Sequence, residues 1–387
     1  QASIVQWPEL CTLGAISFAL TPDGTRVVFA GDITRDDSLT FELYVVPIDG
    51  STLPVRLSDG SPDTDVLDLA LSPDSARAVY RQQPAPGLGG ELYGVPLDGS
   101  AAPVRMSLVR PLSSVEADYV VSHDSLGVVY RQDQDANDVF ELFVTSIDGG
   151  GTPLKRNGPL VSGGDVRSFE LASGDARLGY LADAEVSGRV ELYGVPTFAG
   201  APTKLNGALS GTKSVSDFQL TPSGTRAVYR ADQLTQGQLE LFSAPLDGSQ
   251  PAVRLNAPLP QSFDDVNDFR FAPSGRLVYR APAGPGAKLY CVPVDGSASA
   301  LDLGALSVRD GYQVSQAGAR VCFAVGSAPD FAIFSAPLDA SSAPLALNDR
   351  PLWGGNTRIL PVGAERVLYL TGEDHLDVEE LYSARLD

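Results

Sequence analysis

Three groups of side chains in this chain could do chemistry. The first is Asp133-Gln134-Asp135-Ala136-Asn137-Asp138, whose oxygen donors alternate at the first, third and fifth positions as at the start of a calcium loop. Asp133, Asp135, Asn137 and Asp138 are therefore candidate ligands, and Ca2+ is the one cofactor the sequence suggests. The pattern then departs from such a loop: the sixth position is not Gly, the twelfth is Val144 rather than Glu, and Glu141 could close the site only if the strand start curled back. A solvated acidic hairpin loop explains the same residues and is the favoured reading. The second group is Glu170 with Arg270, either a ligand-polarising pair or a plug in a wet channel. The third is the arginine of a recurring Tyr-Arg (Arg81, Arg131, Arg230, Arg280) and the glutamate opening a recurring Glu-Leu-Tyr/Phe (Glu91, Glu141, Glu240), expected to pair across a hairpin for about 0.2–1 kcal/mol each. A ring of ligand-binding arginines is the alternative.

Other chemistry is sparse. His123 and His375 are the only histidines and cannot build a histidine-rich metal centre; His123 stands where neighbouring repeats carry a turn proline. No Gly-x-Ser-x-Gly elbow is present, and Trp7 and Trp353 are too few for the docking belt of quinoprotein propellers. Cys11, Cys291 and Cys322 are too few and too scattered for a disulfide framework or a zinc site, so buried free thiols are expected, with one Cys291–Cys322 disulfide as the alternative. A glycosidase pair could hide among the aspartates.

The elements that must position these groups form a repeat. The aromatic of the Glu-Leu-Tyr/Phe segment falls at Tyr44, Tyr93, Phe143, Tyr193, Phe242, Tyr290, Phe334 and Tyr382, at intervals of 44 to 50 residues. A period of this length with strand-like content is that of propeller blades. The stretch Phe218 to Gly248 shows the unit: an alternating first strand, a Pro222-Ser223-Gly224 turn, a second strand at Ala227 to Tyr229, a variable loop, a Glu-Leu-Phe third strand, an Asp247-Gly248 turn and a short fourth strand at Val253-Arg254-Leu255. The eighth unit stops where its fourth strand should begin, and Ser3 to Trp7 can supply that strand. The expectation is an all-β fold: one eight-bladed β-propeller over residues 1–387, four antiparallel strands per blade, the ring closed by residues 3–7, with no sheet edge left open.

The Thr21 to Phe29 and Leu43 to Gly50 segments resemble the WD40-like repeats of TolB-type β-propellers, and the resemblance covers nearly the whole chain. It implies a secreted or periplasmic bacterial propeller used for binding, and it places the first strand of each blade along a central channel. Ala19, Ala70, Val120, Glu170, Gln219, Arg270, Gln313 and Leu360 would then line the channel. Such repeats serve many functions, so the fold transfers better than the activity.

Within a blade, the two short turns share one end and the longer loops the other. The loops Gly31 to Thr40, Ser58 to Val66, Gln132 to Asp138, Gln261 to Asn267 and Gly372 to Val378 vary and are rich in Asp and Glu, so the working surface is expected there. A formal charge of −20 argues against nucleic acid, and no apolar run of about 18 residues is present to span a membrane as a helix. Gln1-Ala2-Ser3 reads as a trimmed mature N-terminus, which favours export to the periplasm, outer surface or medium. The expected function is a non-enzymatic binding or scaffold propeller presenting an acidic loop face to a protein, glycan or cationic partner. The alternatives are a hydrolase or lyase acting on polysaccharide through carboxylates on that face, and a structural surface-layer subunit.

Overall fold

The computed structural model describes residues 17–33, 40–60, 64–85, 88–108, 113–261, 264–273, 275–284, 286–304, 307–315, 317, 319–327, 330–348, 353–372 and 380–386. They form eight antiparallel sheets in sequence order, with no helix among them. Seven sheets have four strands paired first to second to third to fourth, and the eighth has three. In the fifth repeat the strands run Val215–Leu220, Arg226–Ala231, Glu240–Pro245 and Val253–Arg254, which are the four expected. The eighth sheet comprises Trp353–Val362, Arg366–Gly372 and Glu380–Arg385. Its expected fourth strand at Ser3 to Trp7 lies outside the described residues.

Each sheet is held across its centre by two aromatic rings. The second-strand aromatic lies directly opposite the third-strand one, as in Tyr229↔Phe242 and Tyr80↔Tyr93. In all eight sheets the two rings stack, with centroids 5.2 to 6.0 Å apart. Directly opposed aromatics add roughly 0.5–1.5 kcal/mol beyond the area they bury. The fourth strands are only two residues long where they pair, and Val55, Val104 and Leu154 open them exposed. Edges this short offer little template for pairing with another chain.

Two compact units divide within the fourth sheet: residues 1–188 with 193–203, and residues 189–192 with 204–387. In the first, three core clusters of described residues lie between successive sheets, containing Leu43 with Tyr80, Leu92 with Tyr119, and Leu142 with Phe169. The second unit repeats the arrangement with Leu241 and Phe269, Leu289 and Tyr312, and Ile333 and Ile359. Phe18 in the first sheet and Leu381 in the eighth hold the corresponding strand positions but are 77% and 65% exposed.

In the four-stranded sheets the two short turns meet at one end. The amide after the third strand donates to a carbonyl of the turn between the first and second: Ile48 to Thr25, Leu97 to Ala76, Leu246 to Thr225 and Leu386 to Glu365, at 2.8 to 2.9 Å. The longer loops therefore gather at the opposite end, as expected.

Candidate functional site

At the loop end the Asp133 segment is one of three copies of a single device. Asp133 Oδ1 accepts from the Ser114 amide, and Oδ2 from the Asp138 amide at 3.2 Å. Asp183 accepts likewise from Asp165 and Gly188, and Asp232 from Ser214 and Gly237. The sixth residue is left-handed in all three, with φ of 59° at Asp138, 80° at Gly188 and 74° at Gly237. One carboxylate thus closes its own hairpin loop and ties it to the segment entering the first strand. That segment reaches back in turn: the side chains of Asp65, Ser114, Asp165, Ser214 and Asp265 accept from the amides of Phe41, Gly90, Phe140, Val190 and Leu239, just before the third strands. Amides of this kind, buried without a partner, would cost about 1–3 kcal/mol each.

This geometry bears directly on the calcium ligands. Asp133 is almost fully buried, and both of its oxygens accept backbone N–H groups. Asp135 accepts from Lys155 Nζ at 2.9 Å, and the Asn137 side-chain Nδ2 donates to Asp138 Oδ2 at 2.9 Å. Among the described residues no three His, Cys, Asp or Glu side chains form a group that could hold a metal ion. The donor set fits a loop held by backbone N–H groups better than a hard-cation cage. Asp133→Ala is therefore expected to lower unfolding free energy by about 2 kcal/mol, and Asp135→Ala by less than about 0.5 kcal/mol. Urea unfolding in excess Ca2+ and in chelator should give the same two costs; a Ca2+-dependent cost at Asp135 would instead mark a bound ion.

The arginine–glutamate pairing expected across the hairpin is not the one formed. Arg81 lies opposite Leu92, so Glu91, opposite Gln82, points to the other side of the sheet. Arg81 faces Asp68 on the first strand instead, and Nε and one terminal nitrogen, Nη2, of the guanidinium donate to its carboxylate. Arg131 pairs with Asp118 and Arg230 with Asp217, while Arg280 has Asp268 and Asp310. Arg81, Arg131 and Arg230 also donate to the next sheet, at the carbonyls of Val115, Val166 and Val266, 2.8 to 3.0 Å away. The glutamates pair with the fourth strand: Glu42 with Arg56, Glu91 with Arg105, Glu141 with Lys155, Glu191 with Lys204 and Glu240 with Arg254.

Glu170 is half-buried opposite Gly179 in the first unit. Arg270 is exposed in the second, its guanidinium carbon 5.4 Å from the centre of the Tyr312 ring. Cys291 and Cys322 are buried free thiols on a third and a second strand, and burial pushes both thiols up, Cys322 to about 12. They are inert at neutral pH. His375 and the acidic residues Asp36, Asp37, Asp63, Glu373, Asp374 and Asp377 lie outside the described residues.

The turn end carries a feature the sequence reading passed over. The third turn residue of sheets two to four is Ser75, Ser125 and Asp175, each left-handed at φ 60° to 63° although none is glycine. That conformation costs roughly 1 kcal/mol in a non-glycine residue. Their side chains compensate by accepting from the preceding turn: Ser75 from Asp23 N, Ser125 from Asp74 N, and Asp175 from His123 N and Asp124 N, at 2.9 to 3.1 Å. His123 Nδ1 lies 2.8 Å from Asp175 Oδ1, so it does more than replace a proline.

Asp98, Asp148, Asp295 and Asp339 sit below the usual carboxylate range. The first cause is hydrogen bonding within their own turns, from Ser100, Ser146, Ser297 and Ser341. The charge of an arginine on the preceding sheet adds to it: Arg26, Arg77, Arg226 and Arg276 respectively. One sheet pair departs from this rule. The third repeat has Gly127 in place of the arginine, and the fourth has Phe198 in place of the aspartate. A Cβ built on Gly127 would lie 3.4 Å from the Phe198 ring, so the ring occupies the space over that glycine. Phe198 is 50% exposed and the adjacent Leu126 66%.

The turn carboxylates are expected to contribute to the acid side of the stability curve. Asp23, Asp49, Asp74, Asp98, Asp148, Asp295 and Asp339 are held low by turn hydrogen bonds; at Asp175 burial opposes but the His123 and Asp124 donors outweigh it. A carboxyl depressed on folding stabilises above its unfolded value, near pH 4, and that contribution is lost as pH falls through the folded value. Asp183 is held low as well, whereas burial pushes Glu141 and Asp268 the other way, two groups against nine. The urea midpoint should stay level from pH 7 to about 5 and fall steeply below about 4; a midpoint unchanged at pH 3 would contradict the assignment.

No family model matches the chain, and no curated protein matches it. Solved structures do. Dipeptidyl peptidase 4 of Porphyromonas gingivalis superimposes with a TM-score of 0.58 at 12% identity over 92% of this chain, which spans 57% of that protein's length. A putative TolB of Agrobacterium tumefaciens matches 65% of this chain and 83% of its own at 15% identity and a TM-score of 0.35. A structure from a study of two prolyl endopeptidases matches 90% and 53% at 12% identity and a TM-score of 0.43. With the repeat of four-stranded antiparallel sheets, the first of these assigns the β-propeller fold.

Proposed function

We propose that this chain is an exported, non-enzymatic binding propeller whose partner is a protein. The observation that carries the reading is the exposed apolar pair Leu126 and Phe198, standing where four other sheet pairs keep an arginine facing an aspartate. Two replacements on neighbouring sheets, Gly127 and Phe198, are needed to make it, and together they turn a charged seam into an apolar knob. Interface hot spots are enriched in aromatic side chains, and an exposed ring flanked by an exposed leucine can serve as such an anchor. Export rests on the resemblance of the repeats to TolB-type propellers.

The recurring charged groups favour binding over turnover. Asp65, Asp133, Asp183, Asp232 and Asp265 hold loop amides, and Arg81, Arg131 and Arg230 hold the next sheet. The acidic loop end is thus built largely for internal hydrogen bonding, which moves the proposed docking surface to the turn end of the first unit.

The test has two parts. Cross-linked pull-down from source-organism extract should recover a protein with the parent chain and lose it with Leu126→Ser/Phe198→Asp, whose unfolding midpoint should match the parent. Purified chain should leave peptide, ester and glycoside substrates untouched. Turnover, or a partner kept by the variant, would overturn the reading.

A further inference from the structure

On the second unit, between the sixth and seventh sheets, a cleft of about 360 Å³ opens at the turn end. That volume is at the small end of those that hold ligands. Arg276 and Arg320 line it from neighbouring sheets, with Pro273, Pro337 and Leu338 as apolar wall and Asp339 at the rim. In sequence, Pro273-Ser274-Gly275 is followed directly by Arg276, whereas Gly24 and Gly224 are each separated from their arginine by a threonine.

Both guanidiniums are anchored by their inner nitrogens. Arg276 Nε donates to Cys291 Sγ at 3.2 Å, and Arg320 Nε to Ser335 Oγ at 2.7 Å. Arg320 Nη2 also donates to the Ser335 carbonyl at 3.4 Å, so the anchoring fixes each planar group and leaves Nη1 of Arg320 and the terminal nitrogens of Arg276 to face the cleft. Among the described residues neither arginine forms an ion pair, although the chain carries a net charge of −20. Two fixed forks beside a small apolar wall match a carboxylate with a short apolar group next to it.

We infer that this cleft binds a carboxylate-bearing ligand, gripped by the terminal nitrogens of Arg276 and Arg320, with its neighbouring apolar group against Pro273, Pro337 and Leu338. Asp339 sets the selectivity. Its carboxylate, held by the Ser341 amide at 3.0 Å, repels a second negative charge and can accept an N–H of the ligand. A peptide C-terminus therefore fits better than a small organic acid, and inorganic phosphate fits worst.

Calorimetric titration of the purified chain tests this with N-acetyl-alanyl-alanine, its C-terminal amide, acetate and inorganic phosphate. The acid should saturate and the amide should not, with acetate weaker and phosphate weakest; acetate binding as tightly as the dipeptide would identify a small organic acid instead of a peptide end. Arg276→Gln and Arg320→Gln should each weaken binding about tenfold, the worth of one charge-assisted hydrogen bond. Asp339→Asn, an exposed change that leaves the packing alone, should tighten acetate and phosphate even if an arginine variant fails to fold. Equal binding of acid and amide, no saturation by any carboxylate at about 20 mM, or affinities unmoved in folded Arg320→Gln or Asp339→Asn would overturn the site.

Discussion

Asp183→Ala is expected to destabilise the protein by about 3 kcal/mol, the most of any single aspartate in the loop devices. Its carboxylate is fully buried, accepting from the Asp165 and Gly188 amides at 2.8 Å each and from Arg167 at 3.0 and 3.2 Å. Burial pushes the carboxyl up, but Arg167 and the two amides outweigh it and hold it below the usual range, so the group is charged at neutral pH. Alanine would take the carboxylate acceptor from the half-buried Asp165 amide and the Gly188 amide of the exposed loop tip; Arg167 is half-exposed, so water compensates its loss. Asp183→Asn should recover part of the loss, because its carbonyl oxygen can serve one amide while its NH2 faces the other. Asp232→Ala, with the same two amides and no ion pair in that device, should cost about 2 kcal/mol. Urea unfolding of the three variants gives the ranking directly. A cost below about 1 kcal/mol at Asp183 would show that the loop closes without its carboxylate.

What the sequence revealed and what it withheld follow from the range of the interactions. The strands, turns and aromatic pairs of the repeat depend on neighbours within one hairpin, so the spacing of Tyr44, Tyr93 and their successors disclosed them. The Arg81–Asp68, Arg131–Asp118 and Arg230–Asp217 pairs share a separation of 13 residues, but the glutamate lies nearer to the arginine across the hairpin, and only side-chain parity puts it on the opposite face of the sheet. Taken alone, the Asp133 loop offers calcium ligands as well as the favoured solvated acidic hairpin loop. Set beside Asp183 and Asp232, its first residue recurs and its third and fifth do not, which is what a loop clasp requires and a cation cage does not. The Gly127/Phe198 exchange and the Arg276/Arg320 cleft lay beyond reach, because each depends on how one sheet is set against the next.

Substituting alanine at one strand position through all the repeats should separate burial from every other contribution to the fold. The leucine before the third-strand aromatic is fully buried at Leu43, Leu92, Leu142, Leu192 and Leu241 and nearly so at Leu289, but 65% exposed at Leu381. All seven share the strand position, and each precedes a ring stacked on its second-strand partner. Intrinsic strand preference is therefore matched, and what differs is the cover supplied by a neighbouring sheet. Leu142 lies in a cluster with Val166 and Phe169, and Leu241 in one with Val266 and Phe269. Removing either side chain should leave a cavity and cost about 3 kcal/mol, against less than about 0.5 kcal/mol for Leu381→Ala. The first strand should show the same split, Phe269→Ala costing about 3–4 kcal/mol and Phe18→Ala far less, since these residues are 6% and 77% exposed. Equal costs at Leu142 and Leu381 would mean that the outer face of the eighth sheet is covered in solution; unequal costs would make packing between successive sheets, rather than the hairpins themselves, the main source of this fold's stability.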